Sequence, residues 1–281
     1  MIIIEPHIHM YSRTTDDYQA MYAAGIRACV EPSFWLGQNR RYAGTFFDYF
    51  KLILEFETVR ARRFGLDHYA AVSFNPKEAE DTALVDEVLA GIAEYLDHER
   101  CLAVGEIGFN NITDNEEYAF KKQLEIAADR DMLVIIHLPH FNKPEGIKRS
   151  MKVIREVGFN EKKIYLDHNV EETIHEAINE TGCYCGLTVY PISKLTPERV
   201  SKILRSLGTD AERVIVSGSA DWGISDPLAL VKVIDYMRSD GHDDQMIQRL
   251  VMGNANAFYS QCPRWKPQFD IKPMDPREFQ R

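Results

Sequence analysis

The sequence predicts an α/β protein of the (β/α)8 TIM-barrel type. Three observations carry this expectation. Eight short segments look like buried strands, and amphipathic stretches of helical length alternate with them. No internal repeat or composition break interrupts the 281 residues, a common length for a single α/β barrel. A doubly wound open sheet is the competing arrangement, but no Gly-rich dinucleotide turn follows the first run.

The first run, Met1-Ile2-Ile3-Ile4, is mostly β-branched and opens a strand over 2–7. Further strands are expected at 26–30, 69–74, 102–106, 133–137, 164–168, 183–189 and 213–217. Most are near-continuous apolar runs, as befits parallel strands covered on both faces. Helices are expected at 45–64, 82–98, 114–130, 144–157, 171–181, 196–207, 226–238 and 244–259. Start signals support several of them: Asp114 ahead of Glu116 and Glu117, Thr196 before Pro197, and Asp226 before Pro227. Residues 1–261 form one expected domain, and 262–281, with four prolines, a tail that drapes over the barrel or frays. The segment 33–44, after the second strand, is long enough for a lid or specificity wall and holds Phe34, Trp35, Arg40, Arg41 and Tyr42. A surface loop packed by its own aromatics is the alternative.

Composition narrows the function. A net charge of −10 disfavours extended nucleic-acid binding and leaves a small-molecule substrate as the expected partner. No apolar run approaches a membrane span, and no basic region precedes the first apolar run as in a secretory signal. Five cysteines without a regular framework suit a reducing compartment, so the expected location is cytoplasmic. Cys183 and Cys185 read as small core residues of the seventh strand.

The chemistry gathers where the strands end. In a parallel barrel these ends converge on one pocket, and here they offer His7, His9, Glu31, Asn75, Glu106, His137, His168 and Asp221. His7 and His9 fall on one face of an extended chain, half of a transition-metal site, unless they are unrelated loop residues. His137 ends the apolar run 132–136 and would be costly unpaired. Glu31 could orient His9 or enter an ordinary salt bridge, and His68, His98, His175 and His242 read as surface residues.

These residues resemble a known family. His7-x-His9, Gly105-Glu106-Ile107-Gly108, single histidines closing strands five and six, and Asp221 after strand eight resemble the TatD-like metal-dependent hydrolases of the amidohydrolase superfamily. Asn254-Ala255-Asn256-Ala257-Phe258 also resembles the family's final helix, so the likeness spans roughly residues 1–260. The resemblance implies two divalent ions, zinc first, with manganese or iron also accommodated. It implies one ion on His7, His9 and Asp221, a second on His137 and His168, and Glu106 between them. Asp221 would take the proton from the attacking water as general base.

The surroundings depart from the family pattern. Glu5 stands where the family has aspartate, and Phe109-Asn110 follows the Gly-Glu-Ile-Gly string. His137-Leu138-Pro139-His140 replaces a His-x-Arg, removing a basic contact. Asp167-His168-Asn169 replaces histidine followed by an aromatic, and Ser219-Ala220-Asp221 replaces Glu-Thr-Asp. His140, Trp222, Trp35 and Arg40 are the candidate substrate contacts. The expected function is metal-dependent hydrolysis of an ester, amide, lactone or phosphoester. The alternatives are a TatD-type DNase or phosphoesterase, a polymerase-and-histidinol-phosphatase-type phosphoesterase, and a metal-binding barrel with a scaffold role.

Overall fold

In the computed structural model, residues 1–275, 277 and 278 are described, with 209 and 210 described by backbone alone. Residues 276 and 279–281 of the expected tail lie outside the described residues. Eight strands form one sheet in sequence order: β1 (Ile3–Glu5), β2 (Ile26–Pro32), β3 (Asp67–Val72), β4 (Cys101–Gly108), β5 (Leu133–His137), β6 (Ile164–Asn169), β7 (Tyr184–Thr188) and β8 (Val214–Ser217). Every laddered pair is parallel. This is the (β/α)8 barrel. The seam between β8 and β1 is drawn together past the strand ends. Ser219 N donates to the His7 carbonyl at 2.8 Å, His9 N to the Ala220 carbonyl at 2.9 Å, and Gly218 N to the Glu5 carboxylate at 3.0 Å.

The helices wrap the outside: α1 (Thr15–Ala23), α2 (Ala43–Lys51), α3 (Glu57–Arg63), α4 (Thr82–Gly91), α5 (Ala93–Leu96), α6 (Asp114–Asp129), α7 (Lys143–Val157), α8 (Glu171–Glu180), α9 (Pro197–Leu207), α10 (Ala229–Ser239), α11 (Asp244–Gln248) and α12 (Asn254–Tyr259). The expected helix over 45–64 is α2 and α3 joined through a π-helical turn, Leu52–Phe56, and 244–259 divides likewise around Arg249–Gly253. Thr196 caps α9 with Pro197 at its first position, as expected, and Thr113 forms a capping box with Glu116 at α6. Asp226 differs. Its carboxylate accepts from Leu228 N within a turn, and the helix begins only at Ala229. Sequence periodicity also passed over α1, whose nine residues bury only Tyr18 and Met21 and so show no apolar stripe.

Two apolar clusters follow from this layering. One lies between strands and helices; α6, for instance, buries Ala119, Phe120, Leu124 and Ala127 against it. Fully burying a side chain such as Phe120 or Leu124 contributes about 1.5–3 kcal/mol. The other fills the barrel and its floor, running from Ile4, Val30, Tyr69 and Ile135 to Phe258 and Trp265. The tail therefore does not simply fray. Trp265 packs on Tyr69 and Tyr259, and Gln268 N donates to Asp67 at 2.8 Å. The floor is sealed, so the opposite mouth is where chemistry can occur.

Candidate metal centre

Glu106, in β4 and 1% exposed, places Oε1 at the centre of that mouth. Oε1 lies 3.3 Å from His7 Nε2, 3.1 Å from His137 Nδ1 and 3.2 Å from His168 Nε2. His9 Nε2 is 3.3 Å from His7 Nε2. Ligand atoms of His7, Glu106 and His168 all fall within 4.8 Å of one another. The other oxygen, Glu106 Oε2, is buried with no hydrogen-bond partner among the described residues. An orphaned buried carboxylate oxygen beside converging imidazole nitrogens is costly alone and suited to a cation. Nitrogen and carboxylate donors together fit a divalent ion such as zinc, manganese or iron.

The outer nitrogens of three imidazoles are held from behind. His7 Nδ1 meets Asp167 Oδ2 at 2.7 Å, His9 Nδ1 meets the Pro32 carbonyl at 3.2 Å, and His168 Nδ1 meets Thr188 Oγ1 at 2.8 Å. Such partners fix ring orientation, and for His7 and His9 an acceptor behind Nδ1 leaves Nε2 free to ligate. Burial drives His9, His137 and His168 below their usual range, toward the neutral form that binds metal. For Glu106 burial pulls upward, but His7 and His137 outweigh it and hold the carboxylate well below its usual range. Asp167 behaves similarly: burial raises it, and His168 and His7 keep it ionised.

The backbone makes this convergence. β1 stops at Glu5, so His7 and His9 lie beyond the strand rather than on it. His168 sits at φ 67°, breaking the alternation that would otherwise send Asp167 and His168 to opposite faces. Lys143 holds that turn, its Nζ donating to the His168 and Pro139 carbonyls at 2.9 Å each. Gly186 in β7 makes room for Asp167, since a Cβ there would come within 2.0 Å of Oδ1.

A cavity of about 340 Å³ opens over the cluster. Asp221 is on its wall and outside the tightest ligand group. Its Oδ1 accepts from Tyr190 OH at 2.8 Å and Gly223 N at 2.6 Å. Trp35, Trp222 and His140 also line the cavity, and burial pushes the His140 imidazole down to about 3. Arg40 does not line it. Its guanidinium is buried, paired with Glu78 and set 3.7 Å from the centre of the Phe46 ring, so the loop anchors itself there instead of offering a substrate contact. Phe34 and Trp35, from the same loop, do face the cavity.

Two further expectations change. Glu31 does not orient His9, whose partner is the Pro32 carbonyl; it accepts from Tyr11 N at 2.9 Å and meets His68 Nε2 at 2.8 Å. His68 is consequently buried in β3, not a surface residue. Sequence reasoning passed over Lys194, from the loop between β7 and α9. Its Nζ lies 3.3 Å from both His168 Nε2 and Ser219 Oγ. Burial pushes this lysine down, opposed by Glu106, Asp167 and Asp221. A lysine in an irregular loop carries no spacing signal; the adjoining apolar strand offered none either.

A carboxylate ringed by imidazoles at the C-terminal mouth of a parallel barrel defines the metal-centred class of (β/α)8 proteins. The family described as TatD related DNase matches residues 5–211. The chain belongs to the TatD family. An uncharacterized metal-dependent hydrolase of Methanocaldococcus jannaschii is 28% identical over 260 residues, covering 92% of this chain and 99% of that protein. Among solved structures, a TatD-like protein from Archaeoglobus fulgidus is 24% identical with a TM-score of 0.75, covering 92% of this chain and 99% of that one. The phosphotriesterase homology protein of Escherichia coli, complexed with phosphate in its active site, is 16% identical with a TM-score of 0.66, covering 92% and 98%. A lactonase of Listeria monocytogenes is 13% identical with a TM-score of 0.65, covering 96% and 95%. These solved structures share the fold.

Proposed function

We propose that this chain is a metal-dependent hydrolase with a binuclear divalent centre, acting on an ester, amide, lactone or phosphoester bond of a small molecule. One observation carries the reading: imidazole nitrogens from three strand ends meet one buried Glu106 oxygen, while that residue's other oxygen is unpartnered. His7, His9 and Asp221 would hold one ion, His137 and His168 the other, with Glu106 shared. Zinc is the first expectation, and manganese or iron suits the same donors. Divalent ions held there supply Lewis acidity and bring the pKa of water toward neutrality.

The protein's own groups do the rest. Asp221 takes the proton of the attacking water and passes it to the leaving group. Tyr190 and Gly223 both donate to Oδ1, which leaves Oδ2 open for that proton among the described residues. Phe34 and Trp222 wall the cavity and limit bulk water. The chain's −10 charge and the compact cavity favour a small substrate over an extended nucleic acid. Five free, buried cysteines fit a cytoplasmic location. Among the described residues, no helix is long and apolar enough to cross a membrane.

Elemental analysis of protein purified without chelator tests the centre. About two divalent ions per chain are expected, with fewer in His137→Ala. No bound metal after reconstitution with zinc or manganese overturns the assignment. Asp221→Asn should lose turnover on a screened substrate by about 10²-fold or more while staying folded. Full activity in that variant removes Asp221 from the mechanism.

A further inference from the structure

We propose that Lys194 binds an anionic oxygen group beside the scissile bond, so that the pocket selects small anions with a planar apolar body. The proposal rests on the hydrolase reading for what is cleaved, but not for what is bound. Three features of the site carry it.

Lys194 Nζ reaches to within 3.3 Å of His168 Nε2, and no carboxylate lies at ion-pair distance among the described residues. None of the carboxylates in its field closes an ion pair with it, and each has other partners. Glu106 Oε1 faces three imidazoles, Asp167 is engaged by His7 and Thr188, and Asp221 by Tyr190 and Gly223. A part-buried ammonium that lines the cavity without a direct counter-ion is suited to a ligand that supplies the anion. The lysine is also fixed in place. Its amide donates to the Tyr190 carbonyl at 3.3 Å, and Arg199 donates to its own carbonyl at 2.7 Å.

One further cation and one uncommitted ring nitrogen line the same cavity. Lys77 Nζ stands 4.1 Å over the Trp35 ring, without an ion pair among the described residues. His140 Nδ1 is buried with no hydrogen-bond partner there. Lys194 reaches the same cavity from the loop between β7 and α9.

Part of the cavity wall is aromatic. Phe34 stacks on His9 with ring centres 4.0 Å apart and planes 16° apart, and Trp222 lies 5.0 Å from Phe34 and 5.5 Å from Trp35. A planar body fits against such rings, and a charged oxygen fits the Lys194 ammonium in the same cavity.

Calorimetric titration of the metal-loaded protein with phenyl phosphate, benzoate and benzyl alcohol tests this at fixed ionic strength. The wild type should bind at least one anion more tightly than the neutral alcohol, and the preferred anion separates phosphate from carboxylate recognition. Lys194→Met should weaken that anion about tenfold or more, leave benzyl alcohol unchanged, and Lys194→Arg should recover part of the loss. Lys194→Gln serves in the same role if the methionine variant does not fold. The proposal is overturned if the wild type shows no preference for an anion. It is equally overturned if the variants bind anions like wild type, or lose the neutral probe in equal measure. Metal content measured on each sample separates the two readings: Lys194-dependent anion binding without stoichiometric metal sinks the hydrolase and leaves this proposal standing.

Discussion

Replacing Asp167 by asparagine tests whether the groups behind the imidazoles tune the metal centre. All three hydrogen-bond partners of this buried carboxylate act as donors, and His168 Nδ1 lies 3.5 Å from Oδ2 besides. Oδ1 accepts from His168 N at 2.6 Å and Thr188 Oγ1 at 2.9 Å, and Oδ2 faces His7 Nδ1 at 2.7 Å. A carboxamide has one acceptor oxygen, so its NH2 confronts a donor in either orientation. Facing His7, it forces the Nδ1 proton to Nε2, the nitrogen that points at Glu106. Facing His168, it opposes a backbone N–H and the Thr188 hydroxyl. Losing one hydrogen bond to a charged group costs about 1.5–3 kcal/mol. At about 1.4 kcal/mol per decade that is roughly 10- to 150-fold in affinity, in line with the about 10- to 100-fold typical of such outer partners. Competition against a calibrated chelator measures the effect, with circular dichroism as the fold control. A folded Asp167→Asn variant whose zinc affinity stays within about twofold of wild type would show that Asp167 does not tune the ligands in front of it.

The Glu31–His68 pair predicts a pH dependence. Burial pushes Glu31 well up from its ordinary 4.5 and His68 down from 6.5 to about 4, so the folded pair holds one proton. Unfolded, the pair holds none above 6.5, one between 6.5 and 4.5, and two below. Stability should therefore be flat between those values, fall by up to about 1.4 kcal/mol per unit as pH rises above them, and begin to fall again below. Glu57, Asp67, Arg60 and Arg100 form the surrounding charge field. Denaturant melts across pH should show Glu31→Gln losing the alkaline decline; an identical decline in that variant rejects the pairing. Separately, Trp265→Ala removes the floor contact of the barrel and the bond from Nε1 to Asn256 at 3.0 Å. It should lower unfolding stability by about 3–5 kcal/mol with metal content unchanged, and a loss under about 1 kcal/mol would show that the tail is not part of the core.

Much of the barrel was legible because parallel strands covered on both faces are written as continuous apolar runs. The runs at 133–137 and 164–168 need no tertiary context to be seen, and the histidines that close them mark the mouth. What escaped was set by tertiary context. His68 lies in an ordinary segment, and only its pairing with Glu31 across β2 and β3 reveals a buried histidine. Arg40 has the composition of a substrate contact, yet Glu78, 38 residues away, claims its guanidinium.

The candidate site divides along the same line. The convergence of its histidines on Glu106 was legible because such side chains are few, chemically distinctive and placed near strand ends, which meet at one mouth of the barrel. Its polarity was not. Lys194 follows Ile192, a β-branched residue at φ 77°, within a loop whose path no periodic pattern foretells. That path decides whether the ammonium meets solvent or His168. On the proposed reading, the strand ends would set the metal chemistry and the 189–196 loop the charge of the substrate, so rebuilding that loop alone would change substrate while leaving the ligands in place.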